Sequence, residues 1–265
     1  MKRYFEQYFN NIGEIIKKIH ETQSNKIAEA AHIMAKAIAN GHLVHVFGSA
    51  HSAIPVMEIF PRYGGYVGEN GAFHPLLNPR LLWWNVIGTG GVKDLLWLER
   101  QKGYIENFLV EQDLQKGDVL LIFSHGGVNN APVEAAIYAK RQGMKVVAVT
   151  SMENQKLVAK EHPDVRKLSD IADITIDNCV PLEDALVPLE GRIEKVSPGS
   201  TIAIVMILQS LNAQVAGELN TRGEKLNIFV SPNVTQIPSS HNESVFKQYD
   251  LIILKHRLRR ENDER

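Results

Sequence analysis

Apolar residues follow two rhythms along this chain, and the change comes at Gly41. Before it, Ile12, Ile15, Ile16 and Ile19, then Ile27, Ala30, Ala31, Met34 and Ile38, recur at the spacing that lines one face of an α-helix. The pattern predicts helix up to a stop at Gly41, as a hairpin or a bent rod packed on the rest of the fold or on a partner subunit. After Gly41, short apolar runs alternate with helical stretches. Leu43–Phe47, Asp118–Phe123, Lys145–Thr150 and Ile174–Asp177 read as strands, Gly65–Val67 as a short strand, and Ile228–Ser231 and Leu251–Leu254 as edge strands. Helices are expected over Ala53–Phe60, Val92–Glu111, Ala131–Gln142 and, apolar on more than one face, Ser200–Asn220. Residues 70–91, with Pro75, Pro79 and the glycines of Gly88–Gly91, read as irregular, and the stretch to Asp170 as polar and partly helical. This divides the chain into a helical segment over 1–41, an α/β domain over 42–255 and a solvated charged tail over 256–265.

Strand–helix alternation specifies parallel β-α-β units with right-handed crossovers and helices on both sheet faces, a three-layer α/β/α sandwich. Ligands of such sheets bind beyond the carboxyl ends of the strands. The loops after Phe47, Val67, Phe123, Thr150 and Asp177 are therefore the places to look for chemistry.

Composition narrows the partners. The 265 residues are 44% hydrophobic and 22% charged, with a net charge of -1, which argues against a broad nucleic-acid or membrane surface. A local anion site is still allowed. The single cysteine, Cys179, excludes an intrachain disulfide and a Cys-based zinc site, and reads as a small buried filler. Acids and amides stand where a signal peptide needs an apolar core, and no run reaches the ~18 apolar residues of a membrane span, so the expected location is the cytoplasm.

Two strand-to-helix turns carry the candidate chemistry. In the first, Gly48-Ser49-Ala50-His51-Ser52, Gly48 permits a sharp bend, while Ser49, His51 and Ser52 offer donors beside a helix start. In the second, Ser124-His125-Gly126-Gly127-Val128-Asn129 repeats the device with Ser124, two glycines and Asn129, and places His125 in the loop itself. Each turn alone reads equally well as simple helix capping. Together, in one parallel sheet, they suit a phosphate-sized anion. Neither matches the dinucleotide or Walker fingerprints, so a sugar phosphate is favoured over a nucleotide. Glu58, His51, His74, Glu69 and Glu134 are the acid–base candidates near that end of the sheet; Glu134 reads equally as a ligand for a sugar hydroxyl. Trp83 and Trp84 read as packing, and Asp173 and Asp177 as strand-flanking acids.

Phe123-Ser124-His125-Gly126-Gly127, Pro132–Ala136 and Gly143–Thr150 resemble the second half of a sugar isomerase (SIS) domain, and Gly48–Ser52 its first loop. The resemblance extends over roughly residues 5–230, and Asp173–Cys179 and Ser197–Thr201 are similar to a sugar isomerase-like branch related to the phosphoheptose isomerases. It implies a flavodoxin-like, five-stranded parallel sheet and a homodimer or homotetramer whose site is completed by a neighbouring subunit. It also implies that Ser52, Ser124, Gly126, Gly127 and Asn129 hold the phosphate, with Ser200 or Thr201 reaching the ligand. Gly126 replaces the family's usual second serine, and Asn129 a Ser or Thr, so the cradle leans on backbone N–H groups. The histidine and glutamate of the phosphoheptose isomerases' first helix align with Glu58 and Arg62, and the glutamine and histidine of their last helix with Thr201 and Gln209. A zinc site of that design is not expected, and neither a metal nor a cofactor is called for. His74 stands near where synthase-type isomerase domains place a catalytic acid. The function expected is an aldose–ketose isomerase of a phosphorylated sugar or amino sugar, with Glu58 or His74 as base. The alternatives are a phosphosugar sensor and an amino-sugar-phosphate lyase or etherase.

Overall fold

The computed structural model describes residues 3–82, 91–161, 166–238 and 240–263; Trp83, Trp84, Gly88 and Gly90 lie outside them. Residues 4–39 form one unbroken helix, α1 (Tyr4–Ala39), rather than a hairpin. No proline interrupts it, and its buried face is the isoleucine and alanine stripe read from the spacing. Gly41, at φ 79, turns the chain out of the helix.

The chain then enters a seven-stranded sheet. Its strands are β1 (Leu43–Gly48), β2 (Tyr66–Val67), β3 (Ala72–Leu76), β4 (Val119–Phe123), β5 (Lys145–Thr150), β6 (Ile174–Asp177) and a late strand, β9 (Asn227–Ile228). The spatial order is β6-β5-β4-β1-β3-β2-β9. The five from β6 to β3 are parallel, as expected, while the two-residue strands β2 and β9 pair antiparallel and extend one edge. β3 lies in the stretch read as irregular. Its Pro75 is tolerated because β2 pairs with β3 only at Ala72, so the rest of that side carries no ladder.

Alternation along the strands divides the core. Val44, Val46, Leu121, Phe123, Val147 and Val149 face one way, in the cluster that includes α1 and the long helix α8 (Ser200–Thr221). Phe47, Leu76, Leu120, Ile122, Val146 and Ala148 face the other. There they meet α3 (Gly91–Leu98), α4 (Tyr104–Leu109), α5 (Asn130–Arg141) and α7 (Leu168–Ile171). The predicted helix over Val92–Glu111 is thus two, broken where Gly103 takes φ 76. A further helix, α6 (Met152–Glu161), follows β5. By length and composition α8 could cross a membrane, but here it lies along α1 with Ala203, Ile207, Leu211 and Val215 buried.

Two features depart from the sequence reading. A hairpin, β7 (Ala185–Pro188) with β8 (Lys195–Pro198), precedes α8 and is held to α1 by Asn11 Nδ2 donating to the Leu186 carbonyl at 2.8 Å. The segments read as an edge strand and a solvated tail instead form one helix, α9 (His241–Asp263). Leu251–Leu254 is a turn of it, and His256 is buried. The charges misled because most of them sit on the solvent side of a helix whose other side is anchored.

Candidate functional site

The two turns leave neighbouring parallel strands, with Gly48 of β1 in register with Phe123 of β4. From β1 the chain passes to β3 on one side, and β4 lies on the other. This is the topological switch point, where the diverging connections open a crevice at the carboxyl edge of the sheet. In the first turn a side chain on Gly48 would put its Cβ 2.0 Å from the Ser52 carbonyl oxygen, so only glycine fits. Ala50 follows in the left-handed region at φ 53, an arrangement that costs an L-residue about 1 kcal/mol and recurs at functional turns. Ser52 N–H donates to the Ser49 carbonyl at 3.0 Å, while the half-buried Ser52 hydroxyl has no hydrogen bond among the described residues. His51 is exposed on the same turn.

The second turn is built from its carbonyls. The His125 carbonyl accepts from Ser151 N–H at 3.0 Å and the Thr150 hydroxyl at 3.1 Å. The Gly126 carbonyl accepts from Gln155 Nε2 at 2.7 Å, and the Gly127 carbonyl from Leu168 N–H at 2.8 Å. All three are drawn toward the β5 side. Because a trans peptide holds N–H opposite C=O, the N–H groups of Gly126, Gly127 and Val128 point away from those partners. Gly127 N–H is taken by Ser124 Oγ at 3.1 Å. Gly127 sits at φ 64, with Gln155 Nε2 2.2 Å from where a Cβ would stand, whereas a Cβ on Gly126 would meet open space. Successive N–H groups at a turn that starts a helix form an anion-binding concavity.

The residue that joins the turns is one that sequence reasoning passed over. Glu99, just beyond α3 and only 6% exposed, accepts from the Ser49 hydroxyl at 3.0 Å and from Asn129 Nδ2 at 2.8 Å. Its own carbonyl accepts from Ala131 N–H at 2.9 Å in the first turn of α5. Ser49 and Asn129 thus face a buried carboxylate and set the spacing of the two turns. Burial raises the Glu99 pKa, a shift opposed by the Ser49 hydrogen bond. No motif marks it, since it lies 25 residues before Ser124 in a helical stretch.

Other candidates are committed elsewhere. The two ring nitrogens of His125 lie 3.1 Å from Asn154 Nδ2 and 3.2 Å from Asn178 Nδ2, and burial lowers its pKa. The Glu134 carboxylate accepts Gly103 N–H at 2.9 Å, holding the start of α4. Ser200 Oγ donates to Asp184 Oδ2 at 2.8 Å, and Asp184 Oδ1 also takes the Ser200 N–H at 2.7 Å. Thr201, next on α8, has no hydrogen-bond partner for its hydroxyl among the described residues. Asp173 is tied to Lys140 and Lys145, and Asp177 to the Met152 and Cys179 N–H groups. Cys179 is buried and its thiol pKa is pushed up by burial. Glu69 is exposed.

The two candidate bases part company. Glu58 lies on α2 (Ile54–Ile59), the short helix issuing from the first turn. Its carboxylate pairs with Arg62 and accepts from Gln209 Nε2 of α8 at 3.5 Å. Of the four residues aligned with phosphoheptose isomerase functional positions, Glu58, Arg62 and Gln209 are in contact, and Thr201 is not among them. His74 does not join them. It sits mid-strand on β3 in register with His45, and its Nδ1 is 2.5 Å from the Tyr249 hydroxyl of α9. Burial, aided by His45 and His256 nearby, lowers its pKa to about 3. The reason is the register: His74 shares a face with Leu76, but two residues back along the strand from the carboxyl edge.

The chain belongs to the SIS domain family, whose model matches residues 7–151, more than half of its length. Along nearly all of its length it is similar to the UPF0309 protein TTE0306 of Caldanaerobacter subterraneus subsp. tengcongensis. That match is 35% identical over 245 residues, 91% of this chain and 96% of that one. The UPF0309 protein OB3413 of Oceanobacillus iheyensis is 31% identical over 246 residues, 93% of this chain and 96% of its own. Among solved structures, a phosphoheptose isomerase from Francisella tularensis aligns at a TM-score of 0.53 with 16% identity, covering 80% of this chain and 95% of that one. The phosphoheptose isomerase GmhA from Neisseria gonorrhoeae aligns at 0.52 with 14% identity, covering 79% and 95%. At these identities the likeness is one of fold.

Proposed function

We propose that this chain binds a phosphorylated sugar or amino sugar with its phosphate between the two turns, and interconverts the aldose and ketose forms. The observation that supports the reading is the second turn at the switch point, whose His125, Gly126 and Gly127 carbonyls are all taken by other partners, so that its N–H groups point away from them. Glu58 is the base. Its carboxylate takes the C2 proton of the open-chain aldose, leaving an enediolate; the proton on O2 passes to O1, and Glu58 returns its proton to C1 of what becomes the ketose. The Arg62 guanidinium and the Gln209 amide lie beside that carboxylate and suit the oxygens on which charge develops. A second reading, binding without turnover, is favoured by the same contacts. An ion-paired carboxylate beside a non-titrating amide is a weaker proton shuttle than an acid–base pair. The proposed assembly is a homodimer or homotetramer, in keeping with exposed Phe5 and Phe9 on α1 and Ile202 on α8. The proposed location is the cytoplasm.

Thermal-shift screening against a panel of sugar phosphates tests the binding. No stabilisation by any of them would sink the proposal. With a ligand in hand, incorporation of deuterium at C2 in heavy water separates isomerase from sensor.

A further inference from the structure

Among the described residues, the buried side-chain polar atoms left without a hydrogen-bond partner are His45 Nδ1 and Gln115 Oε1, and both lie in one cluster. It sits away from the two turns. His45 is three residues upstream of Gly48 on β1, about 10 Å along the strand, and Asp118 immediately precedes β4. Orphaned buried polar atoms are rare, and two in one place single out this polar cluster.

The centre of the cluster is the fully buried Asp118. His45 Nε2 lies 3.0 Å from Asp118 Oδ2, and His256 Nε2, from α9, lies 2.9 Å from the same oxygen. The three potential ligand atoms all fall within 4.8 Å of one another. We propose that His45 Nε2, His256 Nε2 and Asp118 Oδ2 bind a divalent transition-metal ion of the zinc class. Tetrahedral zinc at its usual bond lengths separates neighbouring N and O ligands by about 3.3 Å. The two measured separations reach that value with a few tenths of an ångström of expansion. Two imidazoles and one carboxylate are ligands that such ions accept.

The surroundings fit a ligand set already held in place. Asp118 Oδ1 accepts Leu43 N–H at 3.0 Å, and Oδ2 accepts Gln115 N–H at 2.9 Å, which fixes the carboxylate. A cavity of about 40 Å³ beside His256, bounded in part by His74, Asp113 and Arg257, has room for a water. The nearby cations are engaged: Arg257 with Asp113 at 3.0 Å, and Arg259 with His42 Nδ1 at 3.2 Å. His42 Nδ1 itself lies 3.5 Å from Asp118 Oδ1. Binding through Nε2 moves the imidazole proton to Nδ1. The Gln115 amide nitrogen lies 3.1 Å from His256 Nδ1 and donates to the His256 carbonyl at 2.6 Å, which holds the ring of His256 in place. The ion would join β1, the entry to β4 and α9 at one point.

The test uses the untagged full chain, stripped with EDTA and dialysed. Titration with Co2+ is expected to give the visible ligand-field bands of a tetrahedral site, saturating at one equivalent, and Zn2+ is expected to displace the Co2+ and raise the melting temperature. H256A and H45A should each lose the bands, while H20A, on the exposed side of α1, should keep them. Because the buried variants can fail to fold, the wild-type titration decides by itself. Absence of tetrahedral bands, with no zinc-dependent rise in melting temperature, overturns the site and leaves a hydrogen-bonded clamp. Full uptake in a folded H45A/H256A variant overturns it as well, by placing the ion elsewhere.

Discussion

The Asn129 side-chain amide donates to the Glu99 carboxylate at 2.8 Å, and through that carboxylate the cap of α5 is tied to Ser49 of the first turn. Removing the acceptor leaves two half-buried donors unpaired, each at a cost of about 1–2 kcal/mol, the lower part of the range for buried groups. E99A is therefore expected to lose roughly 2–4 kcal/mol of stability in urea melts. It is also expected to weaken sugar-phosphate binding in calorimetry, because the two turns lose their fixed spacing. Unchanged affinity in a destabilised E99A would show that the turns bind independently.

The same residue makes a prediction about pH. Burial raises the folded-state pKa of Glu99 above the ordinary 4.5. The folded protein then holds this proton at pH values where the unfolded chain has released it. The stabilisation is complete below about 4.5 and is lost as pH rises through the folded value. E99Q, which cannot titrate, should show a flatter stability profile across that window. Chemical denaturation at a series of pH values reads this directly, and parallel profiles for the two proteins would refute it.

Ser52 and Ser124 should differ in what they cost. The Ser52 hydroxyl has no partner among the described residues, so S52A removes only a ligand donor: about 1 kcal/mol, or several-fold in affinity, with the melting temperature unchanged. Ser124 Oγ also accepts Gly127 N–H at 3.1 Å. S124A should thus weaken binding and lower the melting temperature together. Calorimetry with a sugar phosphate and with inorganic phosphate, beside thermal melts, separates the two patterns.

For chemistry, E58Q should reduce exchange of the C2 proton by about 10²–10⁴-fold while leaving sugar-phosphate binding nearly intact. H74Q should destabilise the protein, since the Tyr249 contact is lost, but retain exchange per folded molecule. Collapse of exchange in a folded H74Q, with E58Q active, would reverse the assignment.

The parts of this molecule legible in the sequence were those written in short-range grammar. The isoleucine stripe of α1, the all-apolar β4 and the two glycine-bearing turns each state their structure within a few residues. β3 was hidden because Pro75 reads as a breaker unless the one-residue reach of β2 is known. α9 was hidden because its anchoring residue, His256, looks like one more charge in a charged run. Glu99 and Asp118 were missed for a shared reason. A buried carboxylate is defined by donors that arrive from distant segments, and neither residue carries a local mark of them. The site residues read as ligands by position divided the same way. The Ser52 hydroxyl has no partner among the described residues, whereas His125, Glu134 and Ser200 are claimed by partners no motif announces.

Asp118 has one further consequence, in the order of synthesis. Its donors from Leu43, His45 and Gln115 precede it in the chain, but His256 follows it by 138 residues. The parallel sheet can assemble while the chain is still being made, yet one hydrogen bond to its buried charge must wait until α9 emerges. A chain that stops short of α9 would carry every residue of both turns and still leave that carboxylate short of a partner, in a sheet whose amino edge is open to water.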